Sequence, residues 1–330
     1  MATTTYSSLS QRTTAWAAKE MLAHAEPQLV LSKYGLTKPM PKNTAEQVKF
    51  RRPVPLALAK TPLTEGTPPT AKAMAYEDVP VTLSQYGDVV EITDVVADLA
   101  EDPVLKDASM LCGEQAAETI ESLIWDVIVG GTNVYYANGA ARNEVNTAIS
   151  LNKQRAITRH LKAERAKKIT QMVSSSVKYG TEAIDAAFIA FAHTDCEADI
   201  RNMTGFVPTE KYGSMKALPY EIGKVEDVRY IMTPVLSPIA DAGGAAGSMV
   251  STTGTSADIY PVVYVGKDAY GHVALKGANA IRPMIRNPGT IDSSDPLGQK
   301  GSVGWKTYHK AMILNQAWLC RLECAVTDLG

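Results

Sequence analysis

The residues whose types could carry out chemistry are few, and the most compact group lies between positions 193 and 197. His193, Asp195 and Cys196 are near one another in the sequence and could pair a thiol nucleophile with a base. Asp195 also falls inside Thr194–Glu197, in which a threonine is followed three residues later by a glutamate, the pattern of a helix capping box. We therefore favour a structural explanation of this group, with a short helix over 195–203, over a catalytic one.

Motifs for phosphates and dinucleotides are incomplete. The Gly-Lys pair of a P-loop must be followed by Ser or Thr, whose hydroxyl binds magnesium, but residues 223–224 precede a valine and residues 266–267 precede an aspartate. The glycine-rich stretch 243–247 lacks the preceding strand and following helix of a dinucleotide site. The sequence also contains no G-x-S-x-G and no H-E-x-x-H. We therefore assign no catalytic residue and no cofactor-binding residue.

The four cysteines form neither a metal-binding nor a disulfide pattern. They are scattered along the chain without a C-x-x-C spacing, and no histidines recur nearby at the spacing of zinc ligands. We expect no metal site and four buried free thiols, as in a reducing cytoplasm: Cys112, Cys196, Cys320 and Cys324.

The composition is that of a globular protein without general affinity for polyanions. The chain has 330 residues, of which 45% are hydrophobic and 21% are charged, and its formal net charge is -2. Such a chain is not attracted as a whole to nucleic acid or anionic lipid, so any contact with DNA must be local. The first residues lack the basic start and apolar core of a signal peptide, and no apolar run reaches membrane-spanning length.

One long amphipathic helix, the spine helix, is predicted over residues 102–130. Asp102 can cap its first N–H groups, Pro103 fits the first helical position, and two glycines follow at its end. At 1.5 Å per residue it would be roughly 40 Å long, so other elements must cover its apolar side. Apolar residues recur there every three or four positions: Val104, Ala108, Leu111, Ala116, Ile120, Leu123, Ile124, Val127 and Ile128.

A proline-rich stretch precedes the spine helix. Residues 50–77 contain five prolines, which exclude a helix interior and a central strand, but they also contain Leu56, Leu58 and Leu63. A disordered linker would contain fewer leucines. We predict an extended, ribbon-like loop whose apolar side is covered by another copy or another chain.

The N-terminal and glycine-rich segments are predicted to be irregular. The first 50 residues should form an extended arm with a short helix at 14–25. A loop is predicted at 133–146, and the Gly/Ala/Ser-rich residues 237–258 should form a long, exposed and mobile loop.

Alternating apolar residues predict strands in the rest of the chain, which makes the fold class α+β. Residues 79–93 should form two strands around a break at 85–88, and a short helix over 93–100 then leads to the spine helix. The last two strands should pack on the spine helix, where apolar cover is still missing. The other strands are predicted at 188–193, 206–208, 222–232, 259–265, 272–275, 303–314 and 317–326.

Residues 152–168 are predicted to form a basic amphipathic helix. They carry seven Lys and Arg residues against one acid, with Ile157 and Leu161 on the apolar side. The usual explanation of such a helix is a solvated polar face, and contact with phosphates is the alternative.

The order of these parts resembles the tailed-bacteriophage major capsid protein, with the Hong Kong 97-type fold. Several short stretches are also similar to one branch of that family: LTEG at 63–66, FVP at 206–208, YG at 212–213, EIG at 221–223, AYG at 269–271, DPLG at 295–298 and GW at 304–305. The resemblance covers most of the chain, from about Val54 to Ala325. It depends on the order of the motifs, since none of them is diagnostic by itself.

The resemblance implies five regions within the α+β fold. They are an N-terminal arm (1–50), an extension loop lying over a neighbouring subunit (51–93), a peripheral domain with the spine helix at 102–130 (94–170), an axial domain (171–290) and a return to the peripheral domain (291–330).

The resemblance also implies a function. Copies of a capsid protein would assemble as hexamers and pentamers into an icosahedral shell enclosing packaged double-stranded DNA, so the chain would be a virion protein made in the host cytoplasm, not an enzyme. Its partners would be other copies of itself, separate scaffolding, portal and decoration proteins, and DNA, with no membrane. DNA would be contacted non-specifically, and the basic helix Lys153–Lys168 is the candidate surface. No long charged leader follows Met1, which favours a separate scaffolding protein.

Some relatives join their subunits through a lysine–asparagine isopeptide bond. Lys60 and Lys72 lie on the extension loop of this chain, but the sequence identifies neither the partner asparagine nor the catalytic acid. We therefore predict no cross-link.

Two other functions remain open at this point. An encapsulin-type bacterial compartment has the same fold and would contain protein cargo in place of nucleic acid. A soluble α+β enzyme, with residues 237–258 as its lid, would form a small oligomer with a concave pocket that holds perturbed titratable groups.

Overall fold

The computed structural model describes residues 29–40, 47–54, 56–63, 65–66, 68–95, 104–174, 180–213, 216–275, 281–289 and 295–330. The predicted helix at 14–25, most of the one at 93–100 and the cap at 102–103 lie outside these residues. Among the described helices, none has the length and apolar character needed to cross a membrane.

The described residues form three α-helices and fifteen strands, which confirms the α+β class. The helices are α1 (Val104–Val129), α2 (Leu151–Ala163) and α3 (Glu197–Arg201). The strands are β1 (Leu36–Met40), β2 (Gln47–Pro53), β3 (Tyr76–Thr82), β4 (Ser84–Thr93), β5 (Val134–Tyr136), β6 (Ile169–Ser174), β7 (Gly180–Ala192), β8 (Phe206–Pro208), β9 (Glu221–Val225), β10 (Val228–Met232), β11 (Tyr260–Val265), β12 (Tyr270–Leu275), β13 (Ile281–Arg286), β14 (Lys300–Ile313) and β15 (Leu319–Cys324).

An eight-stranded sheet forms the largest part of the core. Its order is β5-β15-β11-β7-β10-β9-β8, with β6 added to β7. Successive side chains of a strand point to opposite faces, and both faces of this sheet are covered. On β11, Val262 and Tyr264 pack on the side of α2, whereas Val263 and Val265 pack on the side of α1. The continuous apolar run at 259–265 follows from this two-sided burial.

A five-stranded sheet lies at the other end of the spine helix α1. Its order is β1-β12-β14-β13, and β4 pairs with β14 along the opposite edge. Cys112 and Ala116 in the first half of α1 pack on Val303 and Trp305 of β14. Ile124 in the second half packs on the eight-stranded sheet. The spine helix therefore joins the two sheets, and the predicted packing of the terminal strands on it is confirmed.

The spine helix is confirmed at Val104–Val129, but its apolar stripe differs from the prediction in one place. Leu111 is 59% exposed, so the prediction of a buried leucine there is wrong. Cys112 is buried against β14 instead. Glu121, a charged residue, is also fully buried on the covered side of the helix.

Three predictions about strands and loops need correction. Residues 84–93 form one uninterrupted strand with no break at 85–88. Gly87 allows this because the strand lies very close to β14 there: a Cβ on Gly87 would lie 2.5 Å from the Trp305 carbonyl oxygen.

The predicted loop 133–146 contains the short strand β5, which pairs with β15. Helix α3 begins at Glu197, and His193, not Thr194, caps the preceding 3-10 turn: its Nδ1 accepts the Asp195 N–H at 3.1 Å.

The glycine-rich residues 237–258 form an irregular segment, as predicted, but hydrogen bonds hold it and some of its residues are buried, so the loop is only partly exposed. The Asp258 carboxylate accepts the N–H of Asp241 at 2.8 Å and the hydroxyl of Thr252 at 2.9 Å. The Asp241 carboxylate accepts the hydroxyl of Thr253 at 2.8 Å. Gly243 approaches the main chain closely, since a Cβ there would lie 2.5 Å from the Val145 carbonyl oxygen.

Candidate assembly surface

The proline-rich ribbon is a hairpin whose two strands are fixed at their base. Strands β2 and β3 pair antiparallel, with Phe50 opposite Val79 and Val48 opposite Val81. These four apolar side chains share one face of the hairpin, and they pack on Val273 of the five-stranded sheet. The base of the hairpin is therefore part of the folded body.

Charged residues join the two strands further out. The Arg51 guanidinium donates two hydrogen bonds to the Asp78 carboxylate, at 2.8 and 3.1 Å, and lowers the pKa of that carboxyl. Arg52 forms an ion pair with Glu77. Arg51 also lies over the ring of Tyr76, 5.4 Å from its centroid. These contacts are solvent-exposed, so they orient the strands and contribute little to the stability of the chain.

Beyond the hairpin strands, residues 54–75 project away from their own subunit. Every described residue in this range is exposed. The N–H of Val54 and the carbonyl of Ala75 close the hairpin with a 2.9 Å bond. The apolar side chains that face solvent include Leu56 (59% exposed), Leu58 (66%), Leu63 (74%) and Met74 (67%). We call residues 54–75 the ribbon loop; its apolar surface is left uncovered by the described part of the chain.

A second exposed apolar surface lies on the five-stranded sheet, on the side that faces away from the spine helix. Asp88 and Trp305 both hydrogen-bond the Gln115 side chain of α1, so the residues next to them on each strand point the other way. Val89 and Met284 lie opposite Gly304 on either side, and both are exposed, by 59% and 49%. Gly304 itself is buried between them, so the exposed apolar surface consists of these two side chains, and we call it the sheet notch.

The predicted basic helix is present as α2, with Ile157 and Leu161 buried, but it ends at Ala163 and not at 168. Arg165, Lys167 and Lys168 therefore follow the helix and do not lie on it. Part of its charge is neutralised within the chain. Arg155 forms an ion pair with Glu226 at 2.5 Å, and Asp227 binds both Lys162 and Lys168, which lower the pKa of its carboxyl. Within the described residues, no ion pair is formed by the remaining basic residues of this segment, which are Lys153, Arg159, Arg165 and Lys167.

The group at 193–197 is structural. The Cys196 thiol is buried, and the neighbouring Cys324 thiol together with that burial raises the pKa of Cys196 well above its usual range. Asp195 accepts a hydrogen bond from the Tyr260 hydroxyl at 2.9 Å. A buried, protonated thiol is a poor nucleophile. All four cysteines are buried free thiols, as predicted.

No metal-binding cluster of three or more His, Cys, Asp or Glu occurs in the part of the chain that the structure describes. The lysines considered for cross-linking, Lys60 and Lys72, both lie exposed on the ribbon loop. The prediction that they form no cross-link stays a prediction.

Sequence reasoning missed the buried Glu121. It lies between Ala117 and Ile124, three or four residues from apolar neighbours on each side, and so falls within the apolar stripe of the spine helix. A carboxylate at such a position must find hydrogen-bond donors or lose its charge, so the stripe itself contained the signal.

Comparison with known proteins gives a family and a fold. A family model described as phage capsid protein matches residues 76–321. The capsid of Ralstonia phage GP4 superposes with a TM-score of 0.65 at 12% identity, covering 90% of this chain and 88% of that chain. The cyanophage Pam1 capsid gives 0.63 at 13% identity over 93% of each chain, and the head of Helicobacter pylori bacteriophage KHP40 gives 0.58 at 13% over 88% and 87%. No curated protein matches the sequence significantly. The Hong Kong 97-type fold predicted from the sequence is thereby confirmed.

Proposed function

Because this chain belongs to the phage capsid protein family, we propose that it is a major capsid protein whose hexamers and pentamers build an icosahedral shell around packaged double-stranded DNA. A capsid protein is a structural protein of the virion and not an enzyme. We propose in particular that the capsomers are hexamers and pentamers, that the shell encloses DNA, and that the chain is made in the host cytoplasm.

The observation that carries the proposal is the exposed ribbon loop on its fixed hairpin. Half of residues 54–75, about eleven residues, spans up to about 36 Å when extended, which is enough to reach well onto a neighbouring subunit. Uncovered leucines on such a projection are costly for an isolated chain and favourable in an interface. Assembly supplies the cover that the chain itself does not provide.

We further propose that the ribbon loop of one copy lies on the sheet notch of the next. The notch offers two exposed apolar side chains, Val89 and Met284, on the face of the sheet that points away from the spine helix. The five predicted regions, with limits at 50, 93, 170 and 290, stay part of this proposal, as do separate scaffolding, portal and decoration proteins.

DNA contact is proposed for the unpaired cations of the 153–168 segment. The net charge of the chain is slightly negative, so contact depends on a local patch, and Arg159, Arg165 and Lys167 provide one. Such contacts neutralise phosphates without reading sequence, which suits a shell that packages any genome.

The test of shell formation is electron microscopy with light scattering on the purified recombinant chain. Wild-type protein should give closed shells, tubes, or rings of five or six subunits. Replacing Leu56, Leu58 and Leu63 together by Ser should abolish them while the thermal unfolding midpoint stays nearly the same, because these side chains are largely exposed in their own subunit. The matched control is Leu329→Ser, which removes an equally exposed leucine outside the loop.

Particles from the triple variant that are indistinguishable from wild type would contradict the role of the ribbon loop. The content of wild-type particles decides what is enclosed. Nuclease-protected DNA would support the phage shell, whereas a protein cargo would favour an encapsulin-type compartment.

A further inference from the structure

A short segment at the start of the described chain is clamped onto the spine helix. We call residues 29–34 the arm base, because they are the first described residues and fall within the predicted N-terminal arm. Residues 31–33 form one 3-10 turn, and Val30, Leu31 and Tyr34 are buried against α1 and the eight-stranded sheet. The arm base therefore occupies a socket in the core.

One carboxylate holds the main chain of the arm base. Glu121 of α1 is 1% exposed, and it accepts the N–H of Leu31 at 2.6 Å and the N–H of Ser32 at 3.3 Å. These donors belong to the first turn of a helical segment, where N–H groups lack partners within the segment. Glu121 thus caps the arm base from a distance of 90 residues along the chain.

A second contact closes the opposite side of the arm base. The Tyr270 hydroxyl of β12 donates a 2.6 Å hydrogen bond to the carbonyl oxygen of Leu31. Gly35 makes this approach possible, because a Cβ at that position would lie 2.6 Å from the Tyr270 ring. The clamp therefore consists of one acceptor from the spine helix and one donor from the five-stranded sheet.

Among the described residues, no positive charge compensates the charge of Glu121, and none forms an ion pair with it. The titratable groups that face it are Tyr270 from β12 and, behind that, Tyr34 from the arm base, and burial raises the pKa of both tyrosines so that they are neutral. Glu221 and Arg229 act electrostatically on Tyr34. Glu118, one turn earlier on α1, is exposed.

Burial raises the pKa of the Glu121 carboxyl to about 7, and the backbone hydrogen bonds from Leu31 and Ser32 only partly oppose this. When the arm base leaves, water enters the socket and the carboxyl returns towards its ordinary pKa of 4.5. A group that binds its proton more tightly in the docked form stabilises docking when it is protonated. The contribution is therefore complete below pH 4.5 and is lost as the pH rises through about 7.

We propose that Glu121 and the arm base form a proton-linked latch, in which the protonated carboxyl holds residues 29–34 on the spine helix more firmly than the ionised carboxylate does. Acid closes the latch and mildly alkaline solution loosens it. The latch sets how firmly the N-terminal residues are tied to the spine helix, and it acts within one subunit whether or not the chain forms shells.

The test is amide hydrogen exchange followed by mass spectrometry on the full-length chain at pH 5, 6, 7 and 8. Protection factors, corrected for intrinsic exchange rates, are compared between the peptide that contains residues 30–34 and a reference peptide from β11. In the wild type, protection of the arm base relative to β11 should fall about five- to sevenfold per pH unit from pH 5 to 7 and by less than about twofold from pH 7 to 8, since one proton is linked to docking.

Two variants separate the latch from general effects of pH. Glu121→Gln keeps an acceptor for the N–H groups but cannot titrate, so its relative protection should not change with pH. Glu118→Gln removes an exposed carboxylate from the same helix and should behave as the wild type. Relative protection that is constant from pH 5 to 8 in the wild type, or that keeps its slope in Glu121→Gln, would overturn the proposal.

A third variant covers the case in which Glu121→Gln does not fold. Tyr270→Phe removes only the hydroxyl that holds the Leu31 carbonyl, so protection of the arm base should be several-fold lower at every pH with the wild-type slope retained. Loss of that slope in Tyr270→Phe would show that Glu121 is not the group that titrates.

Discussion

Strand β11 and the ribbon loop are both rich in apolar residues, but one is buried and the other is exposed. All six residues of β11 are buried, whereas every described residue of the ribbon loop is exposed. Strand β11 pairs with β7 on one side and with β15 on the other, so its main-chain groups are satisfied inside the core. The ribbon loop contains four prolines, at 55, 62, 68 and 69, which lack the N–H that such pairing needs.

The difference shows that apolar content alone does not decide where a segment lies. A segment enters the core only if its backbone can be hydrogen-bonded there, because an unpaired buried N–H or C=O is costly. The ribbon loop cannot meet that condition within its own subunit. Its leucines are therefore available to a second subunit, which needs only their side chains.

The largest expected contrast comes from truncating one apolar side chain in each region. Phe188→Ala in β7 should lower the free energy of unfolding by about 3–5 kcal/mol, because the ring is buried in the core beside β11 and its loss leaves a cavity. Leu58→Ala should change the free energy of unfolding by less than about 0.5 kcal/mol, because its side chain is exposed. Urea denaturation of the dissociated chains measures both values.

The order of the two effects should be reversed when the yield of shells is measured for Phe188→Ala and Leu58→Ala. Leu58→Ala should reduce the yield of shells, whereas folded Phe188→Ala subunits should still assemble. A loss of several kcal/mol in Leu58→Ala would mean that the ribbon loop is packed on its own subunit, and the contrast between the two regions would fail.

The parts of the fold that the sequence predicted well are those in which local pattern and tertiary packing agree. The spine helix was predicted within two residues of its observed ends, and the buried strand at 259–265 within one, because a long period or a long apolar run admits few alternatives. The hydrogen bonds that hold the glycine-rich residues 237–258 could not be predicted, because Asp241 and Asp258 accept them from residues up to 17 positions away. Composition carries no information about such pairing.

The candidate surfaces were only partly predictable for a related reason. Proline and leucine in one stretch already indicated an extended segment that needs an external partner. The sheet notch was not predictable, because Val89, Gly304 and Met284 become neighbours only through the register of three strands that are far apart in the sequence. The clamp between Glu121 and Leu31 is equally non-local.

A smaller effect on the free energy of unfolding is expected from two histidines in the five-stranded sheet, which connects the hairpin to the body. The rings of His272 and His309 stack there at 5.7 Å, and neither nitrogen of His309 has a hydrogen-bond partner among the described residues. Burial lowers the pKa of His272 to about 3 and that of His309 to about 4. The unfolded chain therefore binds more protons than the native one between pH 4 and 6.5, so stability is complete above pH 6.5 and falls as the solution is acidified.

His309→Leu tests this assignment, since leucine cannot be protonated. When the pH is lowered from 7.5 to 5, the wild type should lose about 2 kcal/mol more of its free energy of unfolding than the variant does, because pH 5 is 1.5 units below the ordinary histidine pKa of about 6.5. Urea denaturation at the two pH values gives the difference directly. A relative stability that does not depend on pH would show that His309 is not kept neutral in the native sheet.

The smallest effect on stability is expected in the hairpin, where Arg51 holds Asp78. Asp78→Asn removes the ion pair, but both side chains are solvent-exposed, so the free energy of unfolding should stay within experimental error of the wild type. Exchange of the amides of β3 should nevertheless become faster, because the paired charges orient the two strands outside the apolar base. Glu65→Gln makes the same change of charge in the ribbon loop, where no ion pair with a described residue is lost, and should leave that exchange unchanged.

The yield of shells can be compared for the same two variants. If Asp78→Asn lowers the yield and Glu65→Gln does not, the direction in which the hairpin carries the ribbon loop matters for assembly independently of the stability of the subunit. Equal yields from both variants would mean that the apolar base alone orients the loop.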